Sequence, residues 1–154
     1  MENQNKARAD LRQLMPFFIV AFVGIIYHLR IRPMAGDDVF FSQATSELGL
    51  WDYLIQRYET WTSRFVIEFL LVWIIKYPIL WRLIDLTLFI LFPVLISKIF
   101  DGGKLMDWCA AAAVLLYPFH DMGTAGWITT TVNYFWPVWG MFFVGFLLKK
   151  MLVR

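Results

Sequence analysis

Twenty-seven consecutive residues, Met122 to Leu148, carry no formal charge. A bilayer's hydrocarbon, about 30 Å thick, is crossed by a helix of about 20 mostly apolar residues. Two more stretches have that character. Gln13 to Leu29 is 17 residues without a charge, and Pro78 to Ser97 is 20 residues whose only charges are Arg82 and Asp85. Composition points the same way: 60% hydrophobic, 19% aromatic and only 17% charged, against about 25% charged in an ordinary soluble domain. That is more aromatic surface than a 154-residue globule can hide. It excludes a disordered tail, a disulfide scaffold and a water-soluble globule. The expected fold is all-α: a polytopic helical membrane protein with about four spans.

The spans can be placed by length and charge. Residues 1–12 form a basic tail with Lys6, Arg8 and Arg12. They precede helix 1, residues 13–31, which reads as an uncleaved anchor because no small-x-small cleavage site follows Tyr27. Helix 2 covers 78–97, helix 3 covers 105–119 and helix 4 covers 133–148. Residues 120–132, rich in Gly and Thr, read as a loop or re-entrant segment. The ambiguous stretch is Phe65 to Ile75, which is apolar but only 11 residues long and holds Glu68. A run of that length is more often interfacial or re-entrant than spanning.

Charge arbitrates, since Lys and Arg favour the cytoplasmic side. If 65–75 does not cross, both termini are cytoplasmic. The inner side then holds eight basic residues against four acids, and the outer side six against eight. A five-span chain with its N-terminus outside would score nine of fourteen, so it stays open. The four-span reading makes 32–77 a long outer loop, 98–104 an inner loop and 149–154 a basic inner tail. The expected location is a bacterial cytoplasmic membrane, with membrane lipids as partners.

Within the outer loop, Leu50, Tyr53, Leu54, Tyr58, Trp61 and Phe65 recur at three- and four-residue steps. That spacing predicts a helix lying on a membrane or protein surface, followed by a second helix over 65–75. A turn, Pro33 to Gly36, opens the loop and leads into Asp37-Asp38. Adjacent carboxylates suit a general base or a divalent-metal ligand set, or else form a solvated acidic turn. Arg64 has the fork geometry that matches phosphate oxygens, or it pairs with Glu68 at i+4. Arg82 and Asp85, three apart, read as a structural pair within a span. Trp127, Tyr134 and Trp136 could stack on a sugar ring, with Asn133 and Thr129 supplying hydrogen bonds. Otherwise they form an aromatic belt at a capped helix start.

Other chemistry is thinner. His120-Asp121 reads as a plain polar helix end, and no second ligand at metal spacing suggests zinc. Cys109, the single cysteine, reads as a small apolar residue in a buried helix. The net charge of +2 comes from scattered Lys and Arg, so no nucleic-acid partner is expected. No P-loop, nucleotide-binding glycine fingerprint or nucleophile elbow is present.

The order of these motifs is similar to that of a group of bacterial membrane proteins which resemble GT-C-type glycosyltransferases. The resemblance rests on one span, then Gly36-Asp37-Asp38, then the W-x-x-R element of Trp61 and Arg64. The later element of Trp127, Thr129, Asn133, Tyr134 and Trp136 completes it. It implies a sugar donor carried on a polyprenyl phosphate, bound at the outer face. It also implies Asp37 or Asp38 as catalytic base or metal ligand, and loop helices lying along the membrane. Arg64, with Arg82, would stabilise the departing phosphate. A divalent metal, if used, would sit on Asp37 and Asp38. The resemblance covers only the opening portion of a family member, so the expected protein is an N-terminal part of such an enzyme, or one whose later helices come from further membrane subunits, or one that has lost activity. The alternative is a non-enzymatic membrane scaffold or subunit of a glycan-assembly or transport complex. A transporter in its own right has little support, because no internal repeat is visible.

Overall fold

The computed structural model describes residues 2–117 and 125–152; His120 and Asp121 lie outside the described residues. Among the described residues there are seven helices and no strand. They are α1 (Glu2–Arg30), α2 (Asp37–Gln43), α3 (Leu50–Thr60), α4 (Phe65–Ile74), α5 (Pro78–Phe100), α6 (Gly103–Leu115) and α7 (Ile128–Leu152), the last containing a π-helical segment, Thr131–Phe135. The chain is an all-α membrane protein: Gln13–Arg30, Pro78–Phe100 and Ile128–Leu152 are each long and apolar enough to cross a bilayer. Helix α6 has 13 residues, or about 20 Å at 1.5 Å per residue. The helix expected over 105–119 is therefore observed over 103–115, with residues 118 and 119 outside the description.

Two compact units can be described separately. The first comprises residues 1–29, 86–117 and 139–154. In it α1 meets α5 at Gly24, where an added Cβ would lie 2.7 Å from a ring carbon of Phe89, so only a glycine allows that approach. His28 Nδ1 lies 2.8 Å from the Gly24 carbonyl oxygen. Helix α7 meets α5 through an edge-to-face pair, Phe92 and Phe142, with ring centroids 5.2 Å apart. Lys149 Nζ donates to the carbonyls of Lys98 (3.1 Å) and Ile99 (2.7 Å) and pairs with Asp101. A cation there satisfies orphan carbonyls at the end of α5 and complements the helix dipole.

The second unit comprises residues 30–85 and 118–138. Its core is Leu71, Ile74, Ile75, Trp81, Ile128 and Val132, all buried. A smaller cluster of Tyr53, Leu54 and Val72 adjoins it. Helix α4 supplies both clusters, through Leu71, Val72 and Ile74, while its Val66, Leu70 and Trp73 are exposed. At ten residues it spans about 15 Å, half a bilayer's hydrocarbon. The helix predicted to run from Leu50 to Phe65 stops at Thr60, and Thr62 and Arg64 lie in the link to α4. Trp81 Nε1 donates to Thr131 Oγ1 at 2.8 Å, with both side chains fully buried. The indole thus satisfies its polar end without leaving the core.

Candidate functional site

The site begins at the turn after α1. Gly36 adopts φ 54° and ψ −123°, a region that side-chain-bearing residues avoid. A Cβ there would also sit 1.8 Å from a Trp127 ring carbon. Gly36 is therefore fixed twice, by its backbone and by the indole lying on it. The same fact places Trp127, which packs on the turn.

The two acids that follow part company. Asp38 is fully buried and its carboxylate is saturated. Oδ1 accepts the Thr129 amide (2.8 Å) and hydroxyl (2.9 Å), and Oδ2 accepts the amides of Met34 (3.0 Å) and Ile128 (3.1 Å). A carboxylate offers about four lone-pair sites, so none is left for a metal ion or a substrate proton. Asp38 instead caps the N-terminus of α7, where orphan N–H groups and the helix dipole favour an anion. That cap explains why α7 starts at Ile128, five residues before the expected start at Asn133. Asp37 is exposed and faces a cavity of about 360 Å³. Of the two acids, Asp37 lines the cavity and Asp38 does not.

Three walls enclose that cavity. Helix α2 contributes Asp37, Phe40 and Phe41; α3 and the link to α4 contribute Arg57, Trp61 and Arg64; α7 contributes Thr129, Thr130, Asn133 and Tyr134, with Glu68 of α4 at the back. The π-helical turn inserts one residue into α7. Asn133 and Tyr134 fall within it, and Asn133 Nδ2 donates to the Thr129 carbonyl at 2.8 Å. Trp61 is 74% exposed and Tyr134 62%; Arg57 lies over one face of the Trp61 ring, which leaves its other face open for stacking. Arg64 is exposed, and its Nε donates to Thr62 Oγ1 at 3.2 Å. No carboxylate pairs with it among the described residues.

Glu68 belongs to a different arginine. Arg57 Nη2 lies 3.3 Å from Glu68 Oε1, with side chains 19% and 3% exposed respectively. The guanidinium carbon sits 5.8 Å from the ring centroids of both Phe41 and Trp61, which is within cation–π range. Arg57 Nε is buried with no acceptor. Tyr53 donates its hydroxyl to Glu68 Oε2 at 3.4 Å. Burial, then the Glu68 charge, pushes the Tyr53 phenol up to about 12. The sequence pattern places Arg57 on the polar side of α3, yet Tyr53, Arg57 and Trp61 stand four apart and share one face. That spacing was the available signal.

Of the ten candidate residues, the cavity gathers Asp37, Trp61, Arg64, Thr129, Asn133 and Tyr134. The others act elsewhere. Asp38 caps α7 and Trp127 covers Gly36. Arg82 donates to the Ile31 carbonyl at 3.0 Å, and Trp136 Nε1 donates to Asp85 Oδ1 at 2.6 Å. Arg82 and Asp85 are thus held by different partners. Among the described residues no three His, Cys, Asp or Glu side chains converge as metal ligands. The chain matches no protein-family model, no curated protein and no solved structure.

Proposed function

We propose that the chain is the N-terminal part of a membrane glycosyltransferase-like protein. It transfers a sugar from a polyprenyl-phosphate donor to a cell-surface glycan or lipid acceptor at the outer face of a bacterial cytoplasmic membrane. The observation that carries the reading is one cavity holding an exposed carboxylate, two guanidinium groups and two open aromatic rings: Asp37, Arg57, Arg64, Trp61 and Tyr134. Asp37 takes the proton of the acceptor hydroxyl, whose oxygen bonds to the anomeric carbon of the sugar. The bond from that carbon to the phosphate oxygen breaks, and the phosphate leaves with the electron pair. Arg64 neutralises the departing charge, a contact strengthened where water is scarce. Trp61 and Tyr134 stack on the sugar, and Asn133 and the threonines orient its hydroxyls.

The test is a titration of the chain in lipid nanodiscs with an undecaprenyl-phosphate hexose, followed by tryptophan emission. Saturable quenching is expected, largely lost in Trp61→Phe and shifted at least tenfold in Arg64→Ala. Asp37→Asn should bind normally and transfer nothing. Equal affinity for uncharged undecaprenol, or no binding of the phosphate at all, would overturn the reading.

A further inference from the structure

A second cavity, of about 580 Å³, lies within the unit formed by 1–29, 86–117 and 139–154. Its size falls within the range of small-molecule sites, about 300–1,000 Å³. Two pairs of contacts fix the direction of its walls. Gly24 of α1 faces Leu86 and Phe89 of α5, whereas Gln13 to Phe17 share the cavity with Val94 to Asp101. As numbers fall along α1 they rise along α5, so the two helices run antiparallel here. Polarity therefore changes in the same sense on both. Phe17 and Leu14 give way to Gln13 on α1, and Val94 gives way to Ser97, Lys98 and Asp101 on α5. The cavity has an apolar end and a polar end, and the polar end is completed by Asp107 of α6.

The charges at the polar end are of both signs and incompletely matched. Asp101 is held by Lys149. Asp107 is only 5% exposed and accepts one hydrogen bond, from the Ser97 hydroxyl, which leaves most of its lone-pair sites open. No cation neutralises it among the described residues, although a buried carboxylate is costly without a partner. Lys98 is exposed and makes no ion pair among the described residues.

We propose that this cavity binds one aminophospholipid. The primary ammonium of its headgroup donates to Asp107, its phosphate meets Lys98, and an acyl chain lies along Leu14, Phe17 and Val94. A trimethylated headgroup has no N–H to give Asp107, and an anionic headgroup without an amine meets the carboxylate with like charge. Both are bound less well.

The chain, delipidated in detergent and supplied with equal amounts of phosphatidylethanolamine, phosphatidylcholine and phosphatidylglycerol, is examined by native mass spectrometry. Phosphatidylethanolamine should be retained at least fivefold over either competitor. Asp107→Asn keeps an acceptor for Ser97 and should abolish the preference, while Val94→Trp, which fills the apolar end, should reduce retention of all three lipids. Glycerophosphoethanolamine, the headgroup without chains, should not bind. Lys98→Gln, at an exposed position, should lower phosphatidylethanolamine retention at least threefold and decides the matter if Asp107→Asn fails to fold by circular dichroism. Equal retention of the three lipids, preference for phosphatidylglycerol, an unchanged preference in a folded Asp107→Asn variant, unchanged phosphatidylethanolamine retention in Lys98→Gln, or binding of the chainless headgroup overturns the proposal.

Discussion

The Asp38 carboxylate accepts the backbone N–H of Thr129, ninety-one residues later in the chain, at 2.8 Å. Together with its bonds to the amides of Ile128 and Met34, this ties the first loop to the start of α7, and two of the cavity's three walls, α2 and α7, depend on it. Asp38→Asn replaces an acceptor-only group with one that turns N–H donors toward N–H donors. Charged hydrogen bonds contribute roughly 1.5–3 kcal/mol each, so a loss of at least about 2 kcal/mol is expected. Asp37→Asn, at an exposed position, should stay within about 0.5 kcal/mol of the parent. Chemical denaturation in detergent distinguishes them; equal stabilities would remove the cap from Asp38.

Gly36→Ala meets two obstacles, a backbone region closed to Cβ and the Trp127 ring. Strain of that kind costs roughly 1–3 kcal/mol before any steric clash. The variant should unfold at a lower temperature, and the emission of Trp127, measured with the other tryptophans replaced by Phe, should shift to the red as the ring is displaced. Unchanged emission would mean that the ring does not rest on Gly36.

Breaking the Arg57–Glu68 pair from one side leaves an uncompensated charge among Phe41, Trp61 and Tyr53. Removing one partner of a buried pair costs about 3–5 kcal/mol; with Arg57 still partly exposed, roughly 1–3 kcal/mol is expected for Glu68→Gln. The joint replacement Arg57→Met with Glu68→Leu should restore most of it. A double-mutant cycle with no coupling would show the pair to be incidental.

Tyr53 gives the fold an alkaline limit. Its phenol is raised from about 10 to about 12 in the folded chain, by burial first and the Glu68 charge second. Below pH 10 both folded and unfolded chains hold the proton and stability is full. Between about pH 10 and 12 the unfolded chain releases it while the folded chain does not, so stability falls as pH rises. Tyr53→Phe should flatten that decline, and its absorbance at 295 nm should lack the last tyrosine to ionise. A decline of the same steepness in the variant would place its cause elsewhere.

Much of this arrangement was legible in the sequence, because long uncharged runs and three- and four-residue spacing are local signals. Helices α3 and α4 fall where Tyr53, Leu54, Leu71 and Val72 predict them, and six of the ten candidate side chains share one cavity. What stayed hidden depends on contacts distant in sequence. That Asp38 is a cap and Asp37 is open follows from where Ile128 and Thr129 arrive, and adjacent identical residues carry no mark of the difference. The Arg57 pairing was obscured because Arg64 stands at helical spacing from Glu68, while Arg57 reaches it only through the α3–α4 turn. Asp85 similarly finds Trp136, fifty-one residues away, ahead of the arginine three residues before it.

Sidedness is the remaining expectation on which the proposed chemistry rests. Lys76 is exposed in the short link between α4 and α5, and Gly103 is exposed at the start of α6. They stand on either side of one candidate span, Pro78–Phe100. With Cys109 replaced by Ala, single cysteines at 76 and 103 can be tested on intact cells with a membrane-impermeant maleimide. The excess of Lys and Arg at residues 98–104 and 149–154 favours placing those segments in the cytoplasm. Cysteine at 76 should therefore label in intact cells, and cysteine at 103 only after permeabilisation. The opposite pattern would put Asp37 and Arg64 in the cytoplasm, where a donor presented at the outer face could not reach them. Labelling at both positions in intact cells would mean that α5 does not cross at all.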